Sequence, residues 1–348
     1  MSKVNPTKAI SIGSYHFHPR WTKNYGDSEE KRIEEFEDVM KSGYFNSIIV
    51  EIGYLNNDEF WRVISENDAT VWLNCFDSFD SEVESIESWL LKRSEAIDVL
   101  KQNEERWERF LGFHFDEPVW RGQSNADFLT MTKTLYEKYS KRIYPVFATG
   151  EFSRSEGNSQ QIKLDAKNMK KVRVDALKYV TDIGFDSYSV DVRDGASNGD
   201  YIKKNQEEFP EMVDGKSYYK VLAKKLASLA GHDVNIWLYP CAYTTSLWGG
   251  LNGATRADED YCLAHLEFFR ELLLEQEFQG GINLYTYTQF RDNNELGLQS
   301  HLVVKDENGN QKLLPDIEKW EKYSKRLSEI CEEFKNTEAK LAVYKVED

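Results

Sequence analysis

The stretch Gly112-Phe113-His114-Phe115-Asp116-Glu117-Pro118 sets two carboxylates side by side at the end of an apolar strand. Side chains alternate across a strand, so Phe113 and Phe115 face one way and Gly112, His114 and Asp116 the other. Glu117 falls at the strand's tip, and Pro118 lacks the donor that would extend the ladder. Two carboxyl groups held together cannot both ionise freely, so one holds its proton more tightly and the other less. A protonated acid beside an anion is the equipment of glycoside hydrolysis, where one group protonates the leaving oxygen and the other serves as base or nucleophile. The plainer alternative is a strand end followed by solvated acids, in a chain with 60 Asp and Glu residues.

Positioning such a pair needs a scaffold, and the chain's periodicity supplies one. Short β-rich apolar runs are predicted as strands near 9–14, 46–52, 69–74, 110–116, 142–147, 179–187, 233–239 and 280–287. Amphipathic helices are predicted between them, near 28–42, 57–66, 81–108, 124–139, 165–178, 216–230 and 257–277, with a last one near 315–338. The first helix shows the logic: Ser28 suits an N-cap, Ile33, Phe36, Val39 and Met40 form one apolar stripe, and Gly43 ends it. Strands separated by helices pair in parallel, and eight of them point to an α/β fold, a single (β/α)8 TIM barrel over 1–348. An open doubly wound sheet would carry a Gly-rich phosphate loop after its first strand, and Gly13-Ser14-Tyr15-His16-Phe17 is not one. The longest non-periodic segments, 148–164, 188–215 and 240–256, follow strands five, six and seven and mark the expected working face.

Parity then selects what faces the barrel interior. With the aliphatic side of each strand packed on helices, Glu51, Asn74, Asp116, Asp186, Tyr239 and Tyr285 should gather at the C-terminal mouth. An inward carboxylate is costly unless it is paired or used. Trp72, Trp120, Trp237, Tyr239, Tyr243, Trp248, Tyr285 and Tyr287 lie on or just beyond strand ends. Flat apolar faces beside hydrogen-bonding groups suit a sugar ring, whose C–H face stacks while its hydroxyls need partners. Several of these rings would equally fill the barrel, and at least two are expected to be core.

Composition narrows the partners. A formal net charge of −16, spread along the chain, repels nucleic acid and anionic membrane surfaces. No run of about 18 apolar residues occurs, and the opening residues lack a long apolar segment, so a soluble cytoplasmic protein is expected unless a leader has been removed. Cys75, Cys241, Cys262 and Cys331 show no CxxC pair or zinc spacing and read as reduced core thiols. One sequence leaves the oligomeric state undetermined.

These residues resemble the (β/α)8 glycoside hydrolases. Phe115-Asp116-Glu117-Pro118 is similar to the strand-four motif in which Asn-Glu-Pro presents the acid/base glutamate, with Asp here in place of Asn. An adjacent Asp-Glu pair on strand four also resembles the hexosaminidases that use the substrate's acetamido group as nucleophile. Ser300 to Lys312, with its Asp306-Glu307-Asn308-Gly309 turn, resembles the small closing hairpin found after strand eight in many such enzymes. The resemblance implies a carbohydrate substrate; no cofactor and no metal are expected from the residues themselves. It implies Glu117 as general acid, assisted by Asp116. The pattern departs at strand seven, where Asn235-Ile236-Trp237-Leu238-Tyr239-Pro240-Cys241 offers no carboxylate for the usual nucleophile. Asp186, Glu51 or a substrate acetamide would take that role; Asp186 is favoured because the long 188–215 segment begins beside it. His16, His18, Glu51, Asn74, His114, Trp120, Tyr188, Trp237, Tyr239, Tyr243, Tyr285 and Tyr287 are the expected substrate contacts.

Two other chemistries fit parts of the chain. His16-Phe17-His18 after strand one matches the His-x-His pair of metal-dependent amidohydrolase barrels. Strand five, however, ends Tyr144-Pro145-Val146-Phe147-Ala148, with nothing to bind a metal. A carbohydrate-binding barrel without catalysis would also account for the missing strand-seven carboxylate. No Gly-x-Ser-x-Gly elbow supports serine nucleophilic catalysis.

Overall fold

The computed structural model describes residues 5–14, 28–75, 85–119, 121, 123–148, 172–187, 190–193, 202–203, 206, 209–245, 259–285, 295–297, 304–305, 311–312 and 317–343. Eight parallel strands form one sheet: β1 (Ser11–Ser14), β2 (Ser47–Val50), β3 (Thr70–Asn74), β4 (Phe110–Asp116), β5 (Arg142–Ala148), β6 (Asp182–Asp186), β7 (Asn235–Leu238) and β8 (Gln279–Leu284). The ladder runs unbroken from β2 through β8 and on to β1, which pairs with β8 from Ser11↔Gly281 to Ser14↔Leu284.

Asn46 draws the remaining seam, between β1 and β2, together. Its backbone N–H donates to Ile12 O at 2.9 Å, its Nδ2 donates to Ile10 O at 2.9 Å, and its Oδ1 accepts from Ile12 N at 2.7 Å. Gly13 is required at this approach, because a Cβ there would lie 2.4 Å from Ser47 O. The result is a nearly closed (β/α)8 barrel.

The helices are α1 (Glu29–Lys41), α2 (Asp58–Glu66), α3 (Ile86–Leu100), α4 (Glu104–Arg109), α5 (Asn125–Tyr139), α6 (Gly215–Leu229), α7 (Glu259–Glu275) and α8 (Ile317–Lys335). Their ends follow local chemistry. Asn57, Ser85, Ser124 and Asp214 each accept a backbone N–H of the first turn, and Gly43 takes φ +72 after α1. Ile33, Phe36 and Met40 are buried on the predicted stripe. The helix predicted over 81–108 is instead two, because the Asn103 side chain accepts from Arg106 N at 3.1 Å and starts α4 afresh. Of the helix predicted at 165–178, residues 165–171 lie outside the described residues and Val174–Leu177 forms a 3-10 turn.

Parity sorts the core as the sequence suggests. Phe115 meets Trp89 of α3 and Phe128 of α5, and Phe185 meets Tyr219 of α6, so these residues face the helices. Across the barrel, Trp72, Tyr144 and Trp237 pack on one another, with Tyr144 stacked on Trp237 at 4.4 Å. Below them the Arg142 guanidinium pairs with Asp182, which also accepts from Trp237 Nε1 at 2.9 Å and Thr181 Oγ1 at 2.8 Å. None of the four cysteines forms a disulfide, and all are buried.

Among the described residues, two small antiparallel pairs sit outside the barrel ladder. Val304–Lys305 pairs antiparallel with Gln311–Lys312, the predicted hairpin. Tyr243–Thr245 pairs antiparallel with Glu295–Gly297, tying the chain after β7 to the chain after β8. The segments after β5, β6 and β7 that sequence marks as long loops fall mostly outside the described residues. No described helix is long and apolar enough to cross a membrane.

Candidate active site

Because all eight strands are parallel, their C-terminal residues share one end of the barrel. Asn74, Asp116 and Asp186 are the last residues of β3, β4 and β6, while Glu51, Tyr239 and Tyr285 directly follow β2, β7 and β8. Register places Asn74 beside His114 and Asp186 beside Ala148. The six residues that parity directs to the mouth therefore share this end of the barrel, at different depths.

The centre of interest is the turn after β4. Glu117 has φ +42, a left-handed conformation that is uncommon away from glycine, and its N–H donates to Val146 O of β5 at 2.8 Å. Arg121 N donates to Glu117 O at 2.9 Å, and Gln123 N donates to Pro118 O at 2.9 Å, closing the turn. That geometry brings the Arg121 guanidinium onto both acids, with Nη2 at 2.5 Å from Asp116 Oδ2 and Nε at 3.5 Å from Glu117 Oε2. The Asp116 and Glu117 side chains are 7% and 16% exposed, against 39% for Arg121, so the guanidinium lies on the solvent side of the pair.

Burial pushes the Glu117 carboxyl up to about 7, the negative charge of Asp116 adds to that rise, and Arg121 opposes it. A carboxyl so placed is half protonated near neutral pH and can donate to a leaving group there.

The mouth has a hydrogen-bonded floor. The Tyr144 and Tyr239 hydroxyls are 2.5 Å apart, and Asn283 Nδ2 donates to them at 3.3 and 3.2 Å. Gly184 makes room for this, since a Cβ there would come within 2.9 Å of the Tyr239 ring. Burial holds the Tyr239 hydroxyl well above the ordinary tyrosine range, and the charges of both Asp116 and Asp186 act on it in the same sense. The two carboxylates thus converge electrostatically on one hydroxyl, from strands either side of β5.

The expected substrate contacts fall into three groups. Asp186, Glu51 and Asn74 are half-buried at the rim, and Tyr285 is buried there, with its N–H donating to Pro240 O at 3.1 Å. Trp237, Tyr239 and His114 are buried inside the barrel, Trp237 against Trp72 and Tyr144, and His114 edge-on to Tyr144 at 5.0 Å. Trp72, Trp237 and Tyr239 are core, where the sequence leads one to expect at least two of its eight strand-end aromatics to be so without saying which. His16, His18, Trp120, Tyr188 and Tyr287 lie outside the described residues, as does the side chain of Tyr243. Among the described residues no three His, Cys, Asp or Glu side chains group as metal ligands.

Arg121 was not among the candidate residues read from sequence. Its i+4 spacing from Glu117 is the one signal that points to it, and that spacing acquires meaning only when the intervening residues turn rather than extend.

No protein-family model matches the chain, and no curated protein matches it. Solved structures similar to it include Saccharomyces cerevisiae Gas2p in complex with laminaritetraose and laminaripentaose (12% identity, TM-score 0.50). That alignment covers 93% of this chain and 63% of the other. The apo form of Gas2p aligns over 95% of this chain and 66% of its own, at 11% identity and TM-score 0.51. A provisionally assigned alpha-L-fucosidase from Bacteroides thetaiotaomicron aligns over 86% of this chain and 92% of its own, at 12% identity and TM-score 0.48. The chain spans slightly less than two thirds of the Gas2p chains. At this identity the likeness to Gas2p is one of fold alone, that of the (β/α)8 barrel described above.

Proposed function

We propose that this chain is a glycoside hydrolase, a single barrel domain over 1–348 that cleaves O-glycosidic bonds of an oligo- or polysaccharide by carboxyl general acid/base catalysis. The observation that carries the reading is a carboxyl, Glu117, raised to about 7 beside an arginine-held Asp116 at the C-terminal mouth of the barrel. TIM-barrel enzymes place their chemistry at this end. The oligosaccharides bound to Gas2p, a barrel of similar fold, support the same substrate class.

In this reading Glu117 protonates the leaving oxygen. Asp116 stays ionised against Arg121 and steadies positive charge developing on the sugar ring or its 2-substituent. Asp186 is the base or nucleophile, and a carboxyl separation near 5 Å would give retention, near 9 Å inversion (order of magnitude). Asn74 and Glu51 stand on the rim as partners for sugar hydroxyls.

The test is a panel of aryl glycosides and laminari-oligosaccharides incubated with wild type and Glu117→Gln. Hydrolysis by wild type with turnover lost in the variant, and binding retained, supports the assignment. Full activity of Glu117→Gln on a substrate with a poor leaving group removes Glu117 as the acid. Oligosaccharide binding with no hydrolysis by wild type favours the non-catalytic barrel.

A further inference from the structure

We propose that Arg121 is the positioning residue of this carboxylate pair: it takes Asp116 as its ion-pair partner and, through its longer contact, holds Glu117 ready to give up its proton. The proposal deepens the glycosidase reading and rests on it for catalytic meaning, while its electrostatic content holds without any substrate.

Three observations carry it. The first is asymmetry. One guanidinium faces two carboxylates, at 2.5 Å from Asp116 and 3.5 Å from Glu117, so the charge-assisted hydrogen bond goes to Asp116 and Glu117 receives only the weaker, longer contact. The second is backbone geometry. Arg121 N bonds to Glu117 O and Glu117 N bonds to Val146 O, so the side chain that selects Asp116 is fixed by the same turn that holds Glu117 at φ +42. The third is chemistry. A guanidinium does not deprotonate in a protein, so its preference persists at every working pH.

Other elements add to the field at this site. From β6 comes Asp186, and from β7 the Tyr239 hydroxyl, on which Asp116 and Asp186 both act; His114 lies on the inward face of β4 beside Tyr144. Asp116 supplies the charge that, after burial, pushes Glu117 up, and Arg121 is the group that restrains the rise. The arginine therefore does two things. It pairs with Asp116 as the anion of the two, and it keeps the titration of Glu117 near neutral pH, where a donor is most effective.

The experiment uses Arg121→Met and Arg121→Lys in the full chain. The Glu117 carboxyl is titrated by carbon NMR on glutamate-labelled protein, with Glu117→Gln assigning its resonance. In parallel, the pH dependence of aryl-glycoside hydrolysis is measured, and thermal melting verifies folding. In Arg121→Met the Glu117 midpoint should rise by about one pH unit or more, the size of effect an adjacent opposite charge produces. The alkaline limb of the rate profile should move with it. Arg121→Lys should restore most of the midpoint but not the rate, since an ammonium is a point charge without the planar fork. Should the Met variant not fold, Arg121→Gln tests the same loss of charge.

An unchanged Glu117 midpoint in the charge-removing variant overturns the proposal, even if activity falls. A merely structural arginine would lower the rate at all pH values and leave the limb in place. A midpoint that rises in a protein that hydrolyses no glycoside supports the positioning role and overturns the glycosidase reading instead.

Discussion

Among the described residues an arginine–aspartate pair stands at each end of this barrel, and the two behave differently. At the N-terminal end Arg142 meets Asp182 through two hydrogen bonds, while Trp237 Nε1 and Thr181 Oγ1 fill further acceptor positions on the fully buried carboxylate. The guanidinium also lies over the Trp72 ring at 5.0 Å. Charges balance one to one there, and the carboxylate is wrapped in donors. At the C-terminal mouth one guanidinium serves two acids, Asp116 and Glu117. The same chemical pieces make a charge-balanced plug at one end and, at the other, a pair in which one carboxyl is raised to about 7. Among the described residues the difference is one of stoichiometry, and a second carboxyl in a desolvated place keeps its proton more tightly.

The largest expected effect falls on chemistry at the mouth. Glu117→Gln should reduce turnover by about 10²–10⁴-fold, with little change in substrate affinity. Steady-state kinetics that separate kcat from KM check this, and an undiminished kcat would erase the contrast between the two ends. At the plug, Arg142→Met should cost about 3–5 kcal/mol of stability, because it strands a buried charge. The shift in urea midpoint measures it. If that variant lost activity while its midpoint stayed put, the N-terminal pair would belong to the site rather than to the scaffold.

A smaller effect ties the two ends through pH. Glu117 sits near 7 in the folded chain, above the ordinary 4.5 of a glutamate, so the native state binds the extra proton between those values. Stability contributed by this group is therefore greatest below about 4.5 and declines as pH rises towards 7. Glu117→Gln should remove that decline and be more stable than wild type at pH 8 by roughly 1–3 kcal/mol. Equal pH slopes in urea titrations of the two proteins would show that Glu117 is not strained by its surroundings. The smallest effect concerns backbone alone. Ser140, like Glu117, is a non-glycine residue at positive φ, here +53 at the end of α5. Ser140→Gly should gain up to about 1 kcal/mol without touching turnover, so loss of activity in it would place Ser140 in a wider functional network than its cap position suggests.

Much of this could be read from the chain before any coordinates. Eight aliphatic runs of period two, separated by stripes such as Ile33-Phe36-Met40, leave a closed parallel sheet as the natural solution, and parity then assigns Phe115 outward and Asp116 inward. What parity does not carry is depth. Trp237 and Asp186 both point inward, yet one lies in the packed interior and the other at the rim, because a strand's position along the barrel axis depends on the stagger between neighbours. Pairings across strands are hidden for the same reason: Arg142 and Asp182 meet only once β5 and β6 are in register. Arg121 was out of reach because its role comes from an irregular turn with a left-handed Glu117, and Asn103 split a helix by a side-chain cap that competes with an otherwise continuous helical pattern.

The Asn46 seam has a consequence of its own. In a fully laddered barrel no strand has an edge, whereas here β1 and β2 are neighbours joined near Ile12 by one amide side chain and one main-chain bond. Were that junction to part, two β edges would become available for docking by strands of other molecules. A buried asparagine, 4% exposed, thereby covers the one pair of neighbouring strands that the ladder leaves unjoined, and Asn46→Ala is expected to raise self-association, read by light scattering on heating.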